Sequence, residues 1–498
     1  MTLTASTTDS FTDGLRIAVI GGGITGLAAA HHLAMANADL QVTLFESSRR
    51  LGRTEEADEF LMELGPDSFI TNKPGGIQLC EELGFADQLI STDTRYRKSL
   101  VLSRGRPRAV PDGFMLMSPE KPLAILTTPI LSLKGRLRLL GEYFVRSAGA
   151  QDDESLASFV RRRFGAETLD RLVQPLVGGI YTSDPEKLSL RATLPRFLDM
   201  EQQHGGIIRA VLAASSSKQK QASRIAEAGA RYGLFATPSG GLSQLVSAIE
   251  QKLAGCPGFT LRLNSPVQNL QQDTQQDQTA WLLETFAGRQ TFDAVIVTLP
   301  THAAARLLSD DSFADLRQEL QQVEYASSAL VISGHQLSDF RDRMEAFGMV
   351  VPAVENREIL AVSYASRKFP NRAPAGHILL RTFVGGAMQP ELLDREDDEI
   401  LDSVERELQG IYGLHRAPLF AEVIRYQRAM PQYHVGHTSR VLRIEDQLKK
   451  FSGLQLAGSS YYGVGIPDSI SSGRSAAETI LQSLAADEAA PARCTLQI

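Results

Sequence analysis

The 498-residue chain holds only three cysteines, Cys80, Cys256 and Cys494, far apart in the sequence. So few and so scattered, they build neither a disulfide framework nor a cysteine metal cluster, and they fit a reducing compartment. No window reaches the roughly 18 continuous apolar residues of a membrane-crossing helix. Residues 1–15 are rich in Ser, Thr and Asp and lack the basic and apolar blocks of a secretory signal, so the default location is cytoplasmic. An overall basic excess is also missing. The formal charge is −7, which argues against nucleic acid as the main partner. Neither a GxSxG nor an HExxH occurs, so no serine-hydrolase elbow or zinc-protease helix is expected. No metal site is expected, and His434 and His437, though spaced like ligands, have no third ligand cluster beside them.

What the chain does carry begins at residue 16. The apolar run Ile17, Ala18, Val19, Ile20 breaks into Gly21-Gly22-Gly23-Ile24-Thr25-Gly26, a GxGxxG, and an unbroken helical run follows. A second β-rich run, Val42 to Phe45, ends on Glu46, 20 residues after Gly26. Each part suits a dinucleotide. Gly21 permits the turn, Gly23 lets the backbone approach a pyrophosphate, and Gly26 allows close helix–strand packing. The helix N-terminus offers free N–H groups to phosphate. A carboxylate at the position of Glu46 can accept hydrogen bonds from ribose hydroxyls.

A second unit of the same kind lies near the other end. Leu454 to Ala457 reads as a buried strand, Gly458, Gly463 and Gly465 as a turn, and Pro467 as a favoured first helical position. One such unit serves a nicotinamide dinucleotide. Two in one chain favour FAD, the first for the pyrophosphate and the second placing a positive helix end beside the flavin pyrimidine. Because FDAVIVTLP (292–300) also reads as a parallel strand, the nucleotide domain is discontinuous. The runs ASSALVIS, FGMVVP, ILAVSYAS and HILLRTFVGG, between 326 and 386, predict an antiparallel sheet.

Residues 95–163 differ in character, with fourteen Lys and Arg against six Asp and Glu. Within them, 113–145 is apolar, broken by Pro119, Pro122 and Pro129, and dotted with Lys134, Arg136 and Arg138. That mixture suits an anionic membrane surface. It equally suits a helical subdomain with a solvated basic face, and composition leaves both open. Arg161-Arg162-Arg163 reads as an exposed helix face.

Taken together, GGGITGLAAA, ELGPDSF (63–69), FPNRAPAGH (369–377), FVGGA (383–387), MPQYHVGH (430–437) and GVGIPDSISSG (463–473) resemble the oxygen-dependent porphyrinogen oxidases. These comprise the protoporphyrinogen IX oxidases and the bacterial coproporphyrinogen III oxidases, within the amine-oxidase-like flavoproteins. The match runs from about 15 to 484. The resemblance implies an α/β (α+β) fold in three parts. The first is a Rossmann-like FAD domain of the p-hydroxybenzoate-hydroxylase type, over 15–90, 232–300 and 430–484. The second is a helical membrane-binding insertion, 91–231, and the third an antiparallel substrate domain, 301–429. The tails 1–14 and 485–498 are expected to be disordered.

The resemblance further implies FAD contacts at Gly21 to Gly26, Glu46, Ser47, Gly65, Pro66, Asp67, Ser68, Val267, Gly458, Val464, Gly465 and Ile466. Tyr426 stands where the family often has a flavin-side Trp. Substrate contacts fall on Leu176, Gly179, Tyr364 and the propionate-binding candidate Arg53, although core packing suits Leu176 and Tyr364 as well. At Leu51-Gly52-Arg53-Thr54 the chain is about three residues shorter than the family pattern, in the segment that the resemblance puts beneath the flavin. The implied reaction is six-electron oxidation of a porphyrinogen to a porphyrin in heme biosynthesis. Hydride passes from a meso carbon to flavin N5, a pyrrole N–H proton is lost, and O₂ reoxidises the flavin to give peroxide, three times over. No nucleophile or metal is needed, because the flavin carries the chemistry. A peripheral position on the inner membrane face and hand-off to another heme-pathway enzyme are implied too. The alternatives are another amine-oxidase-like oxidase or desaturase, or a non-catalytic flavin-binding scaffold. The porphyrinogen is coproporphyrinogen III or protoporphyrinogen IX.

Overall fold

Arg16–Ile20 (β1), the apolar run before the first glycine turn, is the middle strand of a five-stranded parallel sheet. After β1 come helix Ile24–Ala36 (α1) and strands Gln41–Phe45 (β2), Phe259–Arg262 (β3), Ala294–Val297 (β4) and Leu454–Leu456 (β5). The order across the sheet is β3-β2-β1-β4-β5. Ile17 lies opposite Val42 on one side and Ala294 on the other. The computed structural model describes residues 14–51, 54–57, 59–149, 153–216, 234–275 and 278–489. The terminal segments 1–13 and 490–498 therefore lie outside the described residues, as do Gly52 and Arg53.

Both faces of this sheet are covered, which is why β1 and β4 read as unbroken apolar runs. Ile17, Val19, Leu44 and Ile296 pack against α1 and the C-terminal helix Ile466–Ala489 (α2). Ala18, Ile20, Phe45 and Val295 face a second core around the fully buried Trp281. That core is roofed by an antiparallel meander of Val267–Gln275, Gln278–Thr285 and Gly288–Phe292. A Cβ on Gly473 of α2 would lie 2.2 Å from the Thr25 carbonyl. The two glycine-started helices thus cross in direct contact near their N-termini.

The second large element is a seven-stranded sheet. Across it run Phe420–Pro431, Tyr325–Gln336, His377–Gly385, Ala361–Tyr364, Gly348–Val350, Ser99–Ser103 and Arg106–Ala109. The four runs read as strands are all present and pair as expected, but the sheet is larger and not purely antiparallel. Gly348–Val350 pairs in parallel with Ser99–Ser103. These last two strands, a hairpin turning at Arg104 and Gly105 with positive φ, come from the segment expected to be a helical insertion. One face of the sheet packs on helix Asp397–Tyr412 and the other on Phe60, Met62 and Leu64.

The rest of 91–231 that is described is mainly helical, around a core that includes Phe159, Phe164, Leu172 and Phe197. Here one expectation fails. Arg163 is not on an exposed face; it is fully buried and paired with Glu142 and Glu201. Arg162 pairs with Glu154 and Glu201, and Arg161 with Glu186. A run of three arginines looks solvated in sequence because its carboxylate partners lie 8 to 39 residues away.

Candidate functional site

The first glycine turn is built so that the protein itself crowds Gly21, Gly22 and Gly26 and leaves Gly23 open. Gly21 has φ +114, and its N–H donates to the Phe45 carbonyl at 2.8 Å. A Cβ on Gly26 would sit 1.9 Å from the Gly21 oxygen and 2.9 Å from Thr298 Oγ1. Gly23 differs, since a Cβ there would meet nothing within 4 Å. It is the N-cap of α1, and no side chain caps that helix. An exposed glycine with empty space in front of uncapped amides is the geometry an anionic group requires.

Glu46 closes the turn from the next strand. Its Oε2 accepts from the Gly22 N–H at 2.7 Å, and its Oε1 from the Ser48 N–H at 2.7 Å and the Ser47 hydroxyl at 3.1 Å. Burial would raise its pKa, but the hydrogen bonds from Ser48, Gly22 and Ser47 outweigh that and hold the carboxyl below its ordinary value. The Glu46 carbonyl accepts from Ser265 N, two residues before Val267, which starts the meander. Glu46, Ser47 and Val267 are thereby gathered at the end of β2.

A third wall is the turn 65–68. A Cβ on Gly65 would also meet nothing within 4 Å, whereas Asp67 is held firmly. Lys368 Nζ lies 2.9 Å from Asp67 Oδ1, and Arg381 Nη1 lies 3.2 Å from Oδ2. Lys368 also donates to Ser68 Oγ at 2.9 Å, and Arg381 to the Gly65 carbonyl. Burial pushes the Asp67 carboxyl up, but the two cations hold it far below the usual range. Lys368 and Arg381 were not singled out from the sequence. They lie about 300 residues from their partner, and only their closeness to FPNRAPAGH and FVGGA hinted at a role.

The C-terminal turn meets the first. Gly458 and Gly463 have φ of +133 and +147, and a Cβ on Gly458 would come within 3.9 Å of Thr25 Oγ1. The Gly458 N–H donates to Ser472 Oγ at 2.9 Å. The Tyr433 hydroxyl accepts from the Gly463 N–H at 2.8 Å and donates to the Ser459 carbonyl at 2.6 Å. His437 stacks on Tyr433 with ring centroids 4.0 Å apart and bonds the Tyr461 carbonyl at 3.1 Å through Nε2. His434 lies 3.6 Å from Glu324 instead, so these two histidines serve different contacts. Val464, Gly465 and Ile466 remain partly exposed between the two helix starts. The role of Tyr433 as a brace for this turn was not read from MPQYHVGH, although the residue lies in it.

The substrate candidates divide. Leu176 is half-buried and packs on the helical core, as do Val350 and Val464. Gly179 is exposed, and a Cβ there would lie 3.3 Å from Val350 Cγ1. Tyr426 is half-buried and lines a cleft of about 540 Å³ with Tyr325, Ser328, Gly386 and Gln432. Tyr364 lies in the core of the large sheet. It is fully buried on the face that packs helix Asp397–Tyr412, and its hydroxyl donates to Tyr412 at 2.9 Å. Strand alternation decides this, since Val362 and Tyr364 share that core-facing side. Arg53 lies outside the described residues.

The family model for flavin containing amine oxidoreductases matches residues 24–481. Coproporphyrinogen III oxidase of Bacillus subtilis (strain 168) is 32% identical over 93% of this chain and 97% of its own length. Protoporphyrinogen oxidase 2 of Arabidopsis thaliana, chloroplastic/mitochondrial, is 27% identical over 95% of this chain and 94% of its own. Among solved structures, a protein of Exiguobacterium sp. 255-15 assigned as a protoporphyrinogen oxidase superposes with a TM-score of 0.81 at 27% identity. That match covers 96% of this chain and all of the other.

Proposed function

The chain belongs to the flavin containing amine oxidoreductase family, and from that membership we infer an FAD-dependent oxidoreductase that oxidises a porphyrinogen in heme biosynthesis. Relatives on both sides of the comparison carry porphyrinogen oxidase names over nearly their whole length. We take coproporphyrinogen III as the substrate, because the bacterial relatives of that name reach 30 to 32% identity, against 26 to 30% for the plant protoporphyrinogen oxidases. The carrying observation is the convergence of two glycine turns, with open space at Gly23 and Gly65, around helices that touch at Thr25 and Gly473.

The residues fit FAD. The uncapped start of α1 and the void at Gly23 suit the pyrophosphate, and Glu46 the ribose. The strand order β3-β2-β1-β4-β5 is that of a doubly wound nucleotide-binding layer, which the added meander and seven-stranded sheet extend toward the p-hydroxybenzoate-hydroxylase type. Val464 to Ile466 and the 65–68 turn suit the flavin end, and Tyr426 lines the cleft beside Tyr325 and Gln432. Bound flavin supplies the hydride acceptor and reacts with O₂. The chain's own residues bind, orient and shield. Lys368 and Arg381 fix the 65–68 turn, Tyr433 fixes the 458–463 turn, and Leu176 with Gly179 offers an apolar, side-chain-free approach for a flat macrocycle.

Among the described residues no helix is long and apolar enough to cross a membrane. We propose a peripheral position on the inner face. Leu133 and Leu137, four apart on helix Leu133–Leu140, are 68% and 58% exposed, and nearby Phe144 is 78% exposed. Such apolar exposure beside Lys134 suits a headgroup layer. Arg136 and Arg138 contribute less than composition suggests, since both are spent on backbone carbonyls. Function is tested by supplying FAD-loaded protein with coproporphyrinogen III and with protoporphyrinogen IX in air. Porphyrin fluorescence with three peroxides per porphyrin supports the reading; no porphyrin from either sinks it.

A further inference from the structure

Lys73 and Asp468 stand 395 residues apart in sequence and meet at the start of α2. Lys73 Nζ donates to Asp468 Oδ1 at 2.6 Å and to Oδ2 at 2.8 Å. Asp468 lies in the first turn of α2, and its carboxylate folds back over the glycine turn. A Cβ on Gly463 would lie 2.5 Å from Asp468 Oδ2, and one on Gly465 3.1 Å from it. The approach of Lys73 is also built in. It precedes helix Pro74–Glu82, where a Cβ on Gly75 would lie 2.6 Å from the Pro467 carbonyl and 2.7 Å from Ser471 Oγ. On its inner side the Asp468 charge faces two phenols. Burial first and Asp468 second push the Tyr181 phenol up to about 12, and Tyr433 is raised by burial with Asp468 again contributing.

The start of a helix carries roughly half a positive charge. An unpaired carboxylate in that first turn would more than cancel it, at the helix end that adjoins Val464 to Ile466 and the flavin end of the site proposed above. We infer that Lys73 is an electrostatic positioning residue for the flavin: by neutralising Asp468 it preserves the positive character of the α2 terminus and so favours the reduced flavin. The Lys73 side chain is 47% exposed, so salt screens part of the effect. This inference rests on the FAD reading of the site.

The test is the midpoint potential of bound FAD in the holoenzyme, measured spectroscopically against reference dyes, for wild type, K73M, D468N and the double variant. K73M should lower the reduced-to-oxidised ratio at fixed potential five- to tenfold, about 20 to 30 mV for a two-electron couple. D468N should raise the ratio, and the double variant should return to within about twofold of wild type, because the charge is then removed from both sides. High salt should shrink the K73M shift. FAD bound by all four proteins at one common potential overturns the inference while leaving the flavin assignment intact. Failure of wild type to take up FAD overturns both. If K73M does not fold, D468N decides alone, and a potential that falls or stays fixed in it overturns the inference.

Discussion

The Gly22 N–H donates to Glu46 Oε2 at 2.7 Å, so the glycine turn and the acid that ends β2 are one hydrogen-bonded unit. This bond bridges 24 residues and sets the orientation of the carboxylate before any nucleotide binds. Removing it should act on FAD first. The variant E46A leaves the Gly22 and Ser48 amides without their charged acceptor, at a cost of about 1.5 to 3 kcal/mol. FAD affinity should fall roughly 10- to 100-fold, read by titration of flavin fluorescence. Unchanged affinity would remove Glu46 from the site.

Two glycines of the same turn should answer an added methyl in opposite ways. At Gly23 the space is empty and φ is −71, so G23A should melt near the wild-type temperature yet bind FAD poorly. At Gly26 the methyl would press on the Gly21 carbonyl, and G26A should lose about 1–3 kcal/mol of stability or more. Thermal melts of the apoproteins, paired with FAD titration, separate the two. A G23A protein that binds FAD normally would contradict the pyrophosphate assignment.

The exposed apolar residues of the helical part give a third expectation. The double variant L133E/F144E removes the apolar surface without touching a buried side chain. It should keep its fold by circular dichroism and lose co-sedimentation with anionic vesicles. Equal sedimentation of both proteins would dismiss the membrane contact.

Stability should fall with acid in two stages. Burial lowers His335 and His437 to about 4, below their unfolded value near 6.5. Both stay neutral in the fold and take up a proton only on unfolding, so their contribution is present above about pH 6.5. It is lost as pH drops from there toward 4, on the order of a few kcal/mol for the pair. Asp67, depressed by Lys368 and Arg381, adds a loss at still lower pH. Urea melts between pH 7 and 2 check this, and H335Q/H437Q should flatten the upper stage alone. A wild-type stability independent of pH over that window would be inconsistent with it.

Local pattern carried the glycine turns, β1, β4 and the four runs of the large sheet, because each is a short stretch whose chemistry fixes its own conformation. What it missed is long-range. Nothing near Arg163 announces that Glu142 and Glu201 will bury it. Nothing near Tyr364 says which face of the sheet its strand turns toward the helix Asp397–Tyr412. The Asp67 clamp needs Lys368 from the short helix Ala365–Lys368 and Arg381 from the seven-stranded sheet. The hairpin 99–109 was hidden by its basic composition, since Arg106 and Arg108 lie on an exposed edge where strands tolerate charge.

The most direct measurement is anaerobic. FAD-loaded protein is mixed with coproporphyrinogen III in a stopped-flow cell, without oxygen, and the visible absorption band of the oxidised flavin is followed. The account predicts bleaching in a single substrate-dependent phase and return of the band, with porphyrin, when oxygen is admitted. A flavin band untouched by either coproporphyrinogen III or protoporphyrinogen IX would contradict it.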